Sequence, residues 1–326
     1  MTESVVLDLN ENGDLLDPRD DSPVRSEAVP DLLARRVIVP EDATDVVVFT
    51  HGWRNSRDSA QRQARQFFTL VEEHYLAQRD DYPRVDAWNA YYVIVRWPSM
   101  SNPFPQGYRR IRDRAHAMTT RGHAGQVLGH LLGYLNSGRR LPGSPPALGS
   151  YTGQYLHCVG HSFGGRFLVE AVQAAADRKP PALAWNRENP DYPYTVDTLL
   201  IFQMAAHPDI FAGPLVRILS NAPINGPVVL THSRADRATG LWHRLAEGAP
   251  GIGQVGARSP VDHIIETRLH PVSERYRYAE LDSRIVNVDS GWRFRRGRWR
   301  SPAGAHSDIW YPESAHLVLS LANLAR

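Results

Sequence analysis

Cysteine is almost absent: the 326 residues include only one, Cys158. A lone thiol cannot form an internal disulfide, which excludes the small secreted domains that disulfides hold together. Cys158 lies within the apolar run 155–159, so we expect a buried, unreactive thiol rather than a nucleophile. Hydrophobic packing must therefore stabilise the chain, and 42% hydrophobic residues are enough for a large core.

Long apolar runs are absent as well. No stretch approaches the roughly 20 apolar residues that a membrane-spanning helix needs, so we expect no integral membrane segment. The first four residues, Met-Thr-Glu-Ser, have neither the basic nor the apolar region of a signal peptide. Both observations favour a cytoplasmic location.

Neither sign of charge is in excess. The chain has 37 Lys and Arg residues against 35 Asp and Glu residues, a formal net charge of +2. This balance argues against a nucleic acid as a main partner. No H-E-x-x-H metal spacing is present, and the turn Gly-His-Ser-Phe-Gly-Gly at 160–165 is not a dinucleotide-binding fingerprint, so we expect neither a metal nor a cofactor.

The most informative stretch runs from Tyr155 to Glu170. An apolar run is followed by Gly-His-Ser-Phe-Gly at 160–164, which is G-x-S-x-G, and then by an amphipathic segment. Strand, sharp turn and helix with a serine at the turn is typical of a nucleophile elbow. The pattern predicts Ser162 as a nucleophile, with the backbone N–H of Phe163 facing a developing oxyanion.

Apolar runs alternate with helical patterns along most of the chain. The predicted strands are 46–50, 91–95, 155–159, 198–203, 228–231 and, most weakly, 284–289. This alternation predicts an α/β fold, a mostly parallel twisted sheet with helices on both faces. We expect an N-terminal arm or edge element at 1–35, and one domain at 36–326 with a small lid around 97–123. Surface connections are expected at 141–149 and 179–193.

A serine nucleophile needs a base, and the base needs a carboxylate that orients it. Asp236 follows the strand 228–231 in a polar loop, and Asp209, at the end of the preceding strand, is the alternative acid. His306 lies in a loop just before the closing helix, which favours it as the base. The other downstream histidines are His243, His263, His270 and His316.

The loop after the strand 46–50 is predicted to supply the second oxyanion donor, the backbone N–H of Trp53. His51 is interpreted as a structural loop residue rather than a second base. Side chains from this loop and from the lid are expected to form the substrate pocket: His51, Gly52, Trp97, Met100, Phe104 and Tyr108.

Four segments together resemble the α/β-hydrolase superfamily: Phe49-Thr-His-Gly-Trp53, Gly160-His-Ser-Phe-Gly164, Thr231-His-Ser-Arg-Ala-Asp236 and Ala305-His-Ser-Asp308. The resemblance covers roughly residues 40 to 326, and the surrounding residues are similar to a poorly characterised bacterial branch of the superfamily. It implies an eight-stranded, mostly parallel sheet and a Ser-His-Asp triad. The implied activity is esterase- or lipase-like hydrolysis of a small-molecule acyl substrate.

Other hypotheses stay open. The same triad serves amidases, peptidases and acyltransferases, and a catalytically silent hydrolase fold could act as a binding protein. The cluster 292–300, with five arginines among three aromatics, is typical of a solvated hairpin, although an anionic-substrate site is a sharper alternative. Four arginines between 109 and 114 could extend that site or lie on an exposed helix face. Nothing in the sequence defines an oligomeric state.

Overall fold

The computed structural model describes residues 4–102, 104–138, 154–177, 196–220, 224, 226–296 and 303–326. The expected connections at 141–149 and 179–193 lie outside the described residues. The last part of the basic cluster, 297–300, also lies outside them.

The described residues form one eight-stranded sheet in which every pairing is parallel. The strands are β1 (Ser4–Asp8), β2 (Asp45–Thr50), β3 (Ala90–Arg96), β4 (Tyr155–His161), β5 (Thr198–Phe202), β6 (Val228–His232), β7 (Ile264–Arg268) and β8 (Ile285–Asp289). Their order across the sheet is β1-β3-β2-β4-β5-β6-β8-β7. The prediction of an α/β fold is confirmed, and the sheet is parallel throughout rather than mostly so.

Helices cover both faces of this sheet. They are α1 (Val29–Arg36), α2 (Arg57–Gln78), α3 (Pro105–Thr120), α4 (Ala124–Gly138), α5 (Phe163–Asp177), α6 (Arg217–Ser220), α7 (His243–Glu247), α8 (Ile252–Val255) and α9 (Pro312–Ala325). In the part of the chain described, none of them combines the length and the apolar character that crossing a membrane requires.

The side chains of each strand alternate between the two faces of the sheet, so the sheet has a hydrophobic core on each face. In β2, Val46 and Val48 belong to the core shared with α1, α3, α4 and α5, whereas Val47 and Phe49 belong to the core shared with α2 and α9. Successive side chains of a strand point to opposite faces, so an all-apolar strand buries both. This is why the central strands read as continuous apolar runs.

The sequence pattern misses one strand and leaves the structure of two further ranges open. β7 is half-exposed at the sheet edge and has no continuous apolar run, so its pattern predicts no strand. Residues 4–8, within the range expected as an arm or edge element, form the opposite edge strand. The range expected as a lid contains α3, whose buried face includes Tyr108, Ile111 and Ala115 and packs in the core shared with α5.

The chain reverses its direction of travel across the sheet between β2 and β4. From β2 it moves outward to β3 and then returns to place β4 on the other side of β2. The crevice beyond the carboxyl ends of strands at such a reversal is where α/β sheets bind ligands. Two segments of interest end there, the loop after Thr50 and the turn at Ser162.

A buried histidine network joins α2 to α9 and predicts sensitivity to acid. His74 Nε2 lies 2.9 Å from the Tyr82 hydroxyl, which lies 2.6 Å from His316 Nδ1. Burial, with the neighbouring His316 adding to it, lowers the pKa of His74 to about 4. His74 therefore binds a proton near pH 6.5 in the unfolded chain but only near pH 4 in the folded protein. The free energy of unfolding consequently decreases as the pH falls from 6.5 to 4.

We expect His74→Gln to flatten the slope of unfolding free energy against pH between 6.5 and 4 by up to about 1.4 kcal/mol per pH unit. Urea denaturation at a series of pH values measures this slope. His207→Gln is the matched control, because the His207 side chain is 45% exposed. Equal slopes for the two variants would contradict the assignment.

Candidate active site

Ser162 occupies a strained turn between β4 and α5. Its φ of +57° lies in the left-handed region, which costs a non-glycine residue on the order of 1 kcal/mol or more. The turn is held by a hydrogen bond of 2.9 Å from the Ser162 N–H to the Phe202 carbonyl on β5. Only 1% of Ser162 is exposed, so the hydroxyl lies inside the protein.

The glycines of the motif permit close backbone contacts at this turn. A Cβ on Gly160 would lie 2.4 Å from the Cα of Gly165, where the helix crosses the strand. A Cβ on Gly164 would lie 2.1 Å from the carbonyl oxygen of His51. Both distances are too short for any side chain, so G-x-S-x-G is a packing requirement of this elbow.

His306 lies between Ser162 and Asp236. Its Nε2 is 2.6 Å from the Ser162 hydroxyl oxygen, and its Nδ1 is 2.8 Å from a carboxylate oxygen of Asp236. Since a carboxylate only accepts, Nδ1 carries the proton and Nε2 is free to accept the serine proton. The second oxygen of Asp236 accepts the Thr239 N–H at 3.0 Å, and Asp236 is fully buried.

The loops that carry the acid and the base are joined directly to each other. Asp236 and Gly304 form an isolated antiparallel bridge, and the Ala305 N–H donates to the Ala235 carbonyl at 3.0 Å. Directly after β5, the side-chain amide of Gln203 donates to the Ala305 carbonyl at 3.0 Å. These bonds hold Gly304 and Ala305, the two residues before His306, to two neighbouring segments of the chain.

Asp209, the alternative acid, is not part of this hydrogen-bonded series. It is exposed and accepts a hydrogen bond of 2.7 Å from the Ser259 hydroxyl. His316 lies within α9 and is bonded to Tyr82, while His243 Nδ1 donates to the Ala249 carbonyl at 2.8 Å. Among the sequence candidates, the structure therefore brings Asp236 and His306 to Ser162.

His161, the residue before the nucleophile, is a site residue that the sequence reasoning missed. Its Nε2–H donates to the main-chain carbonyl of His306 at 2.7 Å, and the two ring centroids are 5.1 Å apart. Burial, reinforced by His306, lowers the pKa of His161 to about 3. The ring is therefore neutral at physiological pH and keeps its Nε2 proton. Its place inside the motif was the available signal.

The two predicted oxyanion donors belong to segments that meet at the elbow. Phe163 is the first residue of α5, and the first N–H groups of a helix have no carbonyl partner within it. A Cβ on Gly52 would lie 3.1 Å from the Cβ of Ser162 and 2.7 Å from His161 Nδ1. The chain that leads to Trp53 thus passes directly against the nucleophile.

The predicted pocket residues separate into three groups. Tyr108 is buried beside the elbow, with its ring 4.8 Å from that of Phe163 and 5.5 Å from that of Trp53. His51 and Trp97 are buried, and the Trp97 indole N–H donates to the His51 carbonyl at 2.8 Å. Met100 and Phe104 are exposed.

Two of the predicted pocket residues, His51 and Tyr108, have side chains with shifted pKa values. Burial lowers the pKa of His51 to about 4, so this imidazole is neutral, as a structural loop residue would be. Burial, with the Asp236 carboxylate adding to it, raises the pKa of Tyr108 well above its usual value. The Tyr108 hydroxyl therefore keeps its proton next to the site.

Arginines of α3 connect this helix to α7. Arg109 donates to the Leu245 carbonyl at 2.8 Å, and Arg112 donates to Glu247 at 2.9 Å. The last carbonyls of a helix lack partners within it, and cations stabilise that end. These two arginines are thus structural links between helices, and do not form an extension of the basic cluster.

The described part of the basic cluster is also held by structural contacts. Phe294 is fully buried, and Arg293 donates to Glu313 at 2.9 Å while lying over the Tyr311 ring. The Trp292 indole donates to the Leu269 carbonyl at 2.6 Å. These contacts favour the structural interpretation for residues 292–294.

The similarity of this chain to known proteins is weak. No protein-family model matches the chain. No curated protein matches it either. A structure of phospholipase PlaB from Legionella pneumophila in complex with thio-NAD aligns at 15% identity and a TM-score of 0.24, covering 55% of this chain and 30% of that one. A second PlaB structure aligns at 15% identity and a TM-score of 0.26, covering 62% and 43%. The aligned region thus spans less than half of either PlaB chain.

The hydrogen bond from His161 predicts that this residue positions the base. We expect His161→Phe to lower the maximal rate at which a fluorophosphonate labels Ser162 about fivefold, since the lost bond is worth about 1 kcal/mol. The probe concentration for half-maximal rate should change little. His161→Gln, whose amide can donate, should recover part of the rate.

A purely structural role would act on stability instead, so the unfolding midpoint is measured for the same variants. His316→Phe is the matched control, because His316 Nε2 also donates to a main-chain carbonyl, that of Glu274, at 3.0 Å. If the control slows labelling as much as His161→Phe, positioning by His161 is wrong.

Proposed function

We propose that the protein is a serine hydrolase that cleaves carboxylic esters through an acyl-enzyme. The observation that carries the proposal is the position of His306, within hydrogen-bonding distance of both Ser162 and Asp236. The three side chains come from separate loops at the carboxyl edge of the sheet. All three are buried, which strengthens their electrostatic interactions.

In the first half of the reaction, the Ser162 hydroxyl oxygen attacks the acyl carbonyl while His306 Nε2 takes its proton. The Asp236 carboxylate holds the proton on Nδ1 and stabilises the imidazolium that forms. The backbone N–H groups of Phe163 and Trp53 stabilise the tetrahedral oxyanion. Collapse of the intermediate passes the proton from His306 to the leaving alcohol and leaves an ester on Ser162.

In the second half, a water molecule attacks the acyl-enzyme. His306 removes a proton from the water and returns one to Ser162 Oγ, which releases the carboxylic acid. His161 stays neutral throughout, because its pKa of about 3 lies below the working range. Its bond to the His306 carbonyl supports the same base position in both halves.

Fluorophosphonate labelling and hydrolysis of p-nitrophenyl butyrate test the proposal. Ser162→Ala should abolish labelling and hydrolysis. His306→Ala should lower kcat by at least about 10³-fold, and Asp236→Asn by roughly 10²- to 10⁴-fold, because each removes part of one proton-transfer unit.

Asp209→Asn is the matched control, since it makes the same chemical change at an exposed aspartate. It should keep activity within about twofold of the unmodified protein, as surface substitutions usually do. A protein that neither labels nor hydrolyses esters would reject the proposed function, and a larger loss in Asp209→Asn than in Asp236→Asn would reject the assignment of the acid.

A further inference from the structure

A second cleft lies at the same edge of the sheet, over the carboxyl ends of β1, β3 and β2. Its volume is about 470 Å³, within the size range of small-molecule sites. It is enclosed by the turn after β1, by the segment 96–100 after β3 and by one face of α3. None of Ser162, His306 and Asp236 lines it, whereas His51, Trp97 and Met100, which the sequence predicted for the substrate pocket, do.

The inner wall of this cleft contacts the loop after β2, which carries Trp53. Asn55 and Ser99 line the cleft; the Asn55 amide donates to the Gly52 carbonyl at 3.1 Å, and the Ser99 carbonyl accepts the Arg54 N–H at 3.0 Å. The cleft therefore adjoins this loop.

The charged wall contains four arginines, and three of them are already bound to carboxylates. The pairs are Arg96 with Asp8 at 2.6 Å, Arg114 with Glu11 at 2.5 Å and Arg57 with Asp21 at 2.7 Å. Within the described residues, the fourth, Arg110, has neither an ion pair nor a hydrogen bond. One guanidinium with its full donor set therefore faces the cleft.

One part of the lining is apolar, beside the polar side chains of Asn10, His51 and Ser56. It is formed by Leu9, Leu16, Trp97, Pro98 and Met100. Met100 is 55% exposed, which leaves a large apolar side chain in water unless something covers it. An apolar wall beside a single unpaired guanidinium matches a ligand with an anionic head and an apolar tail, because arginine binds carboxylate and phosphate oxygens through paired hydrogen bonds.

We propose that this cleft binds a small organic anion, a carboxylate or a phosphate monoester with a short alkyl tail, through Arg110. The anionic head accepts hydrogen bonds from the guanidinium, and the tail lies along Trp97 and Met100. The proposal does not depend on the esterase activity, because none of Ser162, His306 and Asp236 lines the cleft.

Methyl NMR of methionine can locate the ligand. The chain has only four methionines; Met100 lines the cleft, whereas Met118 and Met204 are fully buried in the core. The protein labelled with ¹³C at the methionine methyls is titrated with hexanoate, hexyl phosphate, 1-hexanol and acetate. Met100→Leu assigns the signal.

We expect hexanoate or hexyl phosphate to shift the Met100 signal saturably, and the tighter of the two identifies the head group. Hexanol lacks the charge and acetate lacks the tail, so each should bind at least about tenfold more weakly. Arg110→Ala should weaken anion binding at least about tenfold, since a charge-assisted hydrogen bond is lost. Arg65→Ala, the same change at an exposed position outside the cleft, should not.

Three results would overturn the proposal. The Met100 signal does not move with either anion up to about 10 mM, a concentration that still detects millimolar binding. The affinity is the same in Arg110→Ala as in the unmodified protein. Hexanol binds as tightly as hexanoate. Each can occur in a protein that labels normally at Ser162, so failure here is distinct from failure of the proposed function.

Discussion

The left-handed backbone of Ser162 is the constraint on which the rest of the candidate site depends. It raises the hydroxyl out of the strand and starts α5 at the next residue. The turn fits only because Gly160 and Gly164 let helix α5 and the loop at His51 approach within distances that exclude a Cβ. Local strain is thus offset by contacts from three neighbouring strands of the sheet.

Two buried imidazoles with different tasks surround that turn. The two ring nitrogens of His306 bond to Ser162 and to Asp236, whereas His161 donates its one ring N–H to the His306 backbone carbonyl. Burial keeps His161 uncharged, which prevents a second positive charge from forming beside the imidazolium that catalysis would create at His306. The environment therefore separates a base from its support, although both are the same residue type.

The fold and the order of the site were predictable because they depend on local patterns. Continuous apolar strands and one G-x-S-x-G turn were enough to predict the α/β sheet. Chain order favoured Ser162, His306 and Asp236, with Asp209 as the alternative acid, and His306 lies within hydrogen-bonding distance of both Ser162 and Asp236. Their catalytic roles remain predictions.

What the sequence could not supply depends on tertiary contacts. β7 is an edge strand held by pairing with β8 rather than by an apolar pattern. The bond from His161 joins residues 145 positions apart, so the motif marks His161 but does not identify its partner His306. The pocket prediction treated Met100 and Tyr108 as neighbours in one site, but one is exposed at the arginine-lined cleft and the other is buried against Phe163. Tyr108 lies on the buried face of α3, whereas Met100 belongs to the segment before this helix.

The long separation between Ser162 and His306, 144 residues, has a consequence for folding. Contacts between distant parts of a chain form late, because the entropy of closing the intervening loop must first be overcome. During synthesis the elbow could form around β2, β4 and β5 well before the base loop leaves the ribosome. The nucleophile would then have no base, so hydrolytic reactivity would arise only when nearly the whole sheet has assembled.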